Sequence, residues 1–163
     1  PLHARTAGGE LALGLAAPAC AQTATANLGV SATVAKNCSI TTSAVAFGSY
    51  DPVVTHATSP LDGTGSVVVT CTKGAGTRID LGVDANASGS TRRLAGGGDF
   101  LTYELYQETG RTTVWGSGAS AGQTIAAAPS RAARTFTVFG RIPAGQDVSA
   151  ASYNDTVVAT INF

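Results

Sequence analysis

The chain has no methionine, two histidines and one tryptophan, and only 12% of its 163 residues are charged. Ten Lys and Arg balance ten Asp and Glu, and Arg92-Arg93 is the only adjacent basic pair. No excess of cations is available to neutralise a phosphate backbone, which argues against nucleic acid as a partner. No apolar run approaches the roughly 20 residues of a membrane-spanning helix. No twelve-residue window keeps a helical period of 3.6. The missing charge is replaced by Gly, Ala, Ser and Thr, while the apolar fraction stays at 44%. Such a chain can bury a core and forms one domain, and disorder is not its default.

Residues 11–17 read LALGLAA, preceded by Arg5 and followed by Pro18-Ala19-Cys20-Ala21-Gln22. This is the pattern of a secretory signal peptide: a short apolar core, then small residues at Ala19 and Ala21 that fit a signal peptidase pocket. Cleavage is expected between Ala21 and Gln22, with residues 1–21 the remnant of the signal, and the lack of Met reads as a processed or truncated start. A lipidated Cys20 is the competing reading, against which Ala17 and Pro18 replace the residues a lipoprotein signal carries. Removal of 1–21 leaves Cys38 and Cys71 in an oxidising compartment, where an even count reads as one disulfide. Its loop of about 33 residues would constrain the unfolded chain by about 3.5 kcal/mol. A catalytic or metal-binding thiol would need partners, and His56 is the one histidine left.

Beyond residue 22, runs rich in Val, Ile, Thr, Phe and Tyr alternate with turn residues, so the fold class is all-β. Strands are expected at 45–50, 65–72, 77–83, 100–107, 112–115, 123–127, 134–142 and 156–163, a number that fits a sandwich. Turns are expected at Asp51-Pro52, Asp62-Gly63, Lys73-Gly74, Gly96-Gly97-Gly98, Gly116-Ser117-Gly118 and Pro143-Ala144-Gly145. Two further segments alternate strictly. Val157, Ala159, Ile161 and Phe163 share one face of the last strand, which can leave an open edge. Ala24, Ala26, Leu28, Val30, Ala32 and Val34 share one face of an N-terminal strand. On the residues alone, that strand folds into its own domain or is given to a neighbour.

Several constellations could carry chemistry. Gly118-Ala119-Ser120-Ala121-Gly122 matches the nucleophile pattern G-x-S-x-G, but no histidine follows Ser120 to take its proton. Asp80 with Asp84, or Glu104 with Glu108, could pair for glycoside hydrolysis, although nothing in the sequence marks a cleft. Phe100, Tyr103, Tyr106 and Trp115 could form a sugar platform, yet a sandwich this size needs them in its core. Arg78, Arg111, Arg134 and Arg141 read as a solvated sheet face. No catalytic, metal or cofactor site is expected.

Seven motifs in order carry a resemblance: Asn37-Cys38-Ser39-Ile40; residues 47–52, FGSYDP; the strand from Gly65 ending Thr70-Cys71; residues 101–106, LTYELY; residues 111–116, RTTVWG; residues 139–146, FGRIPAGQ; and Ser152-Tyr153-Asn154-Asp155-Thr156 running to Phe163. Over about 28–163 the chain resembles the spore coat protein U family, which includes subunits of archaic chaperone-usher pili. It departs at Glu108-Thr109-Gly110, where the family often has an acidic-Ala-Ala turn. The resemblance implies an incomplete immunoglobulin-like β-sandwich, completed by a donor strand from a chaperone or a neighbouring subunit. It makes 22–36 the donor-strand segment, with Ala24, Ala26, Leu28, Val30, Ala32 and Val34 facing inward, and 37–163 the pilin-like domain. Val157, Ala159, Ile161 and Phe163 become the groove edge, and Cys38–Cys71 the family's disulfide. A periplasmic chaperone, an outer-membrane usher and further copies of the chain are the implied partners. The implied destination is the cell surface by way of the periplasm, as a structural fibre subunit for adhesion or biofilm. A coat protein or adhesive module that does not polymerise is the alternative.

Overall fold

The computed structural model describes residues 20–163; the apolar stretch of the expected export signal lies outside them. The chain forms eight strands: β1 Cys38–Ala46, β2 Leu61–Cys71, β3 Thr77–Leu81, β4 Arg92–Gly96, β5 Asp99–Tyr106, β6 Gln123–Ile125, β7 Arg134–Ile142 and β8 Ala159–Asn162. No helix occurs among the described residues. Five strands make one sheet in the order β1-β2-β7-β5-β4, and three make the other in the order β6-β3-β8. Every ladder is antiparallel.

Period-two alternation builds the core between the sheets. Val67 and Val69 of β2, Ile79 and Leu81 of β3, Leu101, Tyr103 and Leu105 of β5, and Val138 and Ile142 of β7 are all buried. Trp115 is fully enclosed, and its indole N–H donates to the Ile79 carbonyl at 2.9 Å. A core centred on one tryptophan suits a chain with so few large side chains.

The strand expected at 134–142 is present with those bounds, those expected within 65–72, 77–83, 100–107, 123–127 and 156–163 are present with shifted ends, and four expectations need correction. First, the strand expected at 45–50 is β1, which starts at Cys38; a bulge falls between Ser43 and Ala46, and Gly48 at φ 82° turns the chain away. Second, Asp62-Gly63 is no turn, because Gly63 lies inside β2 opposite Gly140. Third, 112–115 is reduced to one bridge, Tyr106 with Val114, entered through Arg111 at φ 53°. Fourth, β4 went unanticipated because it begins with the arginine pair.

Residues 20–36 are exposed and belong to no strand, with Leu28 and Val30 88% exposed and Val34 82%. The alternating N-terminal segment carries an apolar face that it does not bury.

Candidate functional site

The two sheets end unpaired on the same flank of the domain. β1 bonds only β2, and β8 bonds only β3. Thr72 N–H donates to Asn37 O at 2.9 Å, which fixes 37 and 72 as a hydrogen-bonded pair. Alternation then turns the backbone groups of 38, 40 and 42 to the open side. In the same way, Gly82 N–H donates to Val158 O at 2.9 Å, so residues 159 and 161 face away from β3. Between these edges lies a cavity of about 270 Å³, walled by Thr42 to Val45 and Phe47 on one side and by Asp155 to Val157 and Ala159 on the other. Val67, Leu81, Leu94, Tyr103, Leu105 and Val138 form its floor.

The side chains on the two walls are core side chains in character without being buried like them. Ile40, Val45, Phe47, Val157, Ala159 and Ile161 pack against the core, yet each stays partly exposed. Phe163, expected on the same face, is 53% exposed beyond the end of β8. The wall at Phe47 depends on absent side chains beneath it. A Cβ on Gly140 would come within 2.7 Å of the Phe47 ring, and one on Gly63 within 2.9 Å. The Cys38–Cys71 disulfide joins directly opposed residues of β1 and β2, with Cα atoms 4.1 Å apart. This is the close spacing of a non-hydrogen-bonded pair, and the bridge anchors the start of the β1 wall.

The opposite flank is closed around Arg92, which in the sequence is one more scattered cation. Its side chain is 3% exposed. The guanidinium donates to Leu81 O at 2.8 Å, Gly82 O at 2.9 Å and Trp115 O at 2.9 Å, and it pairs with Glu104. The signal that could have found it is position: Arg92 precedes the alternating Leu94 at even spacing, on the inward face.

A polar cluster closes one end of the groove. Tyr103 O–H donates to Asp155, while Asp84 Oδ2 lies 3.3 Å from the same hydroxyl and accepts the Arg93 N–H at 3.0 Å. One hydroxyl proton faces two carboxyls. Burial, and after it a hydrogen bond with Asp84, raises the Asp155 carboxyl above the usual carboxylate range. Burial, and after it the Asp155 bond, pushes the Tyr103 phenol up as well.

The other constellations are taken apart by the fold. Residues 118–122 form a turn closed by Gly122 N–H to Gly118 O at 2.8 Å and lead into β6. That is not the strand–turn–helix of a nucleophile elbow. Asp80 is held by Arg78 at 2.8 Å, and that bond keeps its carboxyl below the usual range. Glu108 is engaged by Thr112 and Thr113, and Glu104 by Arg92. Arg141 and Arg111 share Asp62, at 2.7 and 3.3 Å, and Arg134 donates to Ala126 O at 2.7 Å. Trp115 and Tyr103 are core, whereas Phe100 is 46% exposed beneath the Arg93 guanidinium. The aromatic set therefore forms no platform. No group of three or more His, Cys, Asp or Glu able to hold a metal ion occurs among the described residues.

Two antiparallel sheets whose edge strands both stop at one apolar groove define an incomplete immunoglobulin-like sandwich. The chain belongs to the Spore Coat Protein U domain family, whose model matches residues 24–160. It is 41% identical over 160 residues to Protein U of Myxococcus xanthus, a match that covers 90% of this chain and 88% of that protein. Its fold matches a chain in the crystal structure of the CsuC–CsuE chaperone–tip adhesion subunit pre-assembly complex, from the archaic chaperone-usher Csu pili of Acinetobacter baumannii. The TM-score is 0.57 and the identity 21%, and the match covers 80% of this chain but spans only 41% of the solved one. The family is one of structural coat proteins rather than enzymes, and it implies a location at the outer surface.

Proposed function

We propose that this chain is a structural subunit of a surface fibre, polymerised head to tail by strand donation along a chaperone-usher route and serving adhesion or biofilm formation. In this reading 22–36 is the donor segment and 37–163 the acceptor domain. The groove is held first by a strand of a periplasmic chaperone and then, at an outer-membrane usher, by residues 24–34 of the next copy. The observation that carries the reading is the groove between two one-sided edges, in a chain that also bears an exposed strand-patterned segment. Leu28, Val30 and Val34 have the alternate spacing that fills such a groove while the backbone completes both ladders. Several hundred Å² of apolar surface buried per junction would contribute on the order of 10 kcal/mol before ordering costs.

The test is an unboiled denaturing gel of the chain co-expressed in a periplasm with its candidate chaperone and usher. A ladder that collapses to monomer on boiling is expected, and deletion of 22–35 abolishes it while leaving chaperone binding. A ladder formed by the deleted chain would defeat the reading. The likeness to Protein U over nearly its whole length favours a second reading, a coat protein that does not polymerise. That reading predicts a stable monomer band without any chaperone.

A further inference from the structure

The zero net charge of the chain conceals a polarity along the strands. The register places the two ends of the domain. At one end lie residues 34–38, the β2–β3 turn at 70–77 and the approach to β7 at 126–134. Thr72 bonds Ala35 and Asn37, Gly74 N–H donates to Ala128 O at 2.8 Å, and Arg134 pairs Val69. These segments hold Lys36, Lys73, Arg131 and Arg134 and not one acidic residue. Lys36, Lys73 and Arg131 are exposed, and Lys73 and Arg131 share one cleft beside the disulfide.

At the other end lie residues 47–60, the β4–β5 turn and residues 143–151. Tyr50 O–H donates to Pro143 O at 3.0 Å, and Asp99 binds Ser149. These segments hold Asp51, Asp99 and Asp147 and no Lys or Arg. The bonds that Asp51 and Asp99 accept, from Val53 N–H and from the Ser149 hydroxyl foremost, hold both carboxyls below the usual range and so ionised. His56 in the same loop is buried and accepts the Asp51 N–H at Nδ1. The cations that border this end are engaged: Arg93 lies over the Phe100 ring and donates to Asn86 O at 2.8 Å, and Arg141 and Arg111 pair with Asp62.

β2 runs the length of the domain in 11 residues, roughly 33 Å at about 3.3 Å per residue. Screening at physiological salt acts over about 8 Å, so the two ends do not neutralise each other within one molecule. Each is free to attract its opposite on another. We propose that the Lys36/Lys73/Arg131 end of one copy docks against the Asp51/Asp99/Asp147 end of a second copy, and that this contact orients head-to-tail association. The proposal rests on the strand-donation reading for its geometry. β8 runs from the acidic end toward the basic end, and every ladder is antiparallel. A strand between β1 and β8, which run in opposite senses, is antiparallel to only one of them; taken antiparallel to β8, the donor leaves the groove at the acidic end. Only residues 35–37 separate Val34 from β1, so the basic end of the donating copy arrives within about 10 Å of that exit. Insertion in the opposite sense would bring two basic ends together.

The experiment compares association of the chain purified from a periplasm with two charge-reversed forms, Lys36→Glu/Lys73→Glu/Arg131→Glu and Thr58→Lys/Ser59→Lys/Asp147→Lys/Ala150→Lys. All seven positions are exposed. Sedimentation velocity and ladder formation are followed from about 50 to 500 mM NaCl. Wild type is expected to associate about tenfold faster at the low-salt end. Each reversed form alone is slowed about tenfold there, and mixing the two restores the rate, because every junction in the mixture again pairs opposite ends. A rate indifferent to salt and to reversal, or slowing that mixing does not relieve, overturns the docking while leaving strand donation standing if wild type still gives a ladder. Salt-dependent association rescued by mixing, with no ladder from wild type, upholds the docking and removes strand donation. If a reversed form fails to fold, the salt series on wild type decides alone.

Discussion

The two flanks of this sandwich solve opposite problems. On the flank at β4 and β5, a charged side chain is wholly enclosed, and each of its guanidinium nitrogens bonds one or more of three carbonyls and Glu104. On the flank at β1 and β8, apolar side chains that belong to the core stay partly exposed along two unpaired backbone edges. Burial therefore does not follow residue type. It follows topology: Arg92 lies where two sheets are bridged, and Ile40, Val45, Val157 and Ile161 lie where a strand is missing. A complete domain would show the first arrangement on both sides.

The sharpest way to break the comparison is at Arg92. Arg92→Leu removes one partner of a buried pair and strands the Gly82 and Trp115 carbonyls, a loss of about 3–5 kcal/mol. The expected outcome in urea unfolding is a large drop in midpoint with secondary structure retained in the survivors. An unchanged midpoint would mean the closed flank is held by apolar packing alone. Replacing Cys38 and Cys71 together by serine addresses the other flank, because the bridge secures the β1 wall. On the entropy of its loop the cost is about 3.5 kcal/mol. If the open flank were already slack in the unbridged state, reduction of the wild type would change its unfolding midpoint little.

A smaller effect sharpens the open flank itself. Gly140→Val places a side chain where the Phe47 ring now lies, and overpacking of this kind costs about 1–3 kcal/mol. The expected result is a modest loss of stability together with weaker capture of a synthetic peptide of residues 22–36, since Phe47 walls the groove. Loss of stability with unaltered capture would separate Phe47 from the groove's function.

The same contrast explains what could be read from the sequence. β2, β5 and β7 were legible because their inward positions, such as Val67, Val69, Leu101 and Leu105, repeat with period two. The face of Val157, Ala159 and Ile161 was legible for the same reason. β4 was not, because an inward-facing arginine contradicts the pattern that identifies a strand, and only the three carbonyls gathered around it make its burial tolerable. The groove floor was not legible either. Thr42, Val45 and Phe47 meet Val157 and Ala159 only through the order of strands in two sheets, and no local pattern encodes that meeting. The boundaries of β1 were missed because its first six residues, CSITTS, carry one strongly apolar side chain.

The smallest expected effect lies at the join of the two flanks, where Asp155 leads into the groove wall and shares the Tyr103 hydroxyl with Asp84. The Asp155 carboxyl is raised in the folded state by burial and by its bond with Asp84. Its contribution to stability is therefore complete below the unfolded value of 3.8 and is lost as pH rises through the folded one. Asp62 and Asp80, lowered by Arg141 and Arg78 foremost, behave in the opposite sense: their contribution is present above 3.8 and lost as pH falls through their folded values. The whole-protein pH profile mixes the two, so a difference between variants is the cleaner measurement. Asp155→Asn imitates the protonated acid at every pH: its amide oxygen can accept from Tyr103 and its amide N–H₂ can donate to Asp84. Relative to wild type, the variant is expected to unfold at higher urea at pH 8, with the gap closing toward pH 4. A gap that stays constant across that range would mean the two carboxyls do not share a proton, and the groove wall would then be pinned by the backbone bonds of Ala95 with Asn154 and by the Asn86 amide, which donates to Asp155 Oδ1 at 3.1 Å.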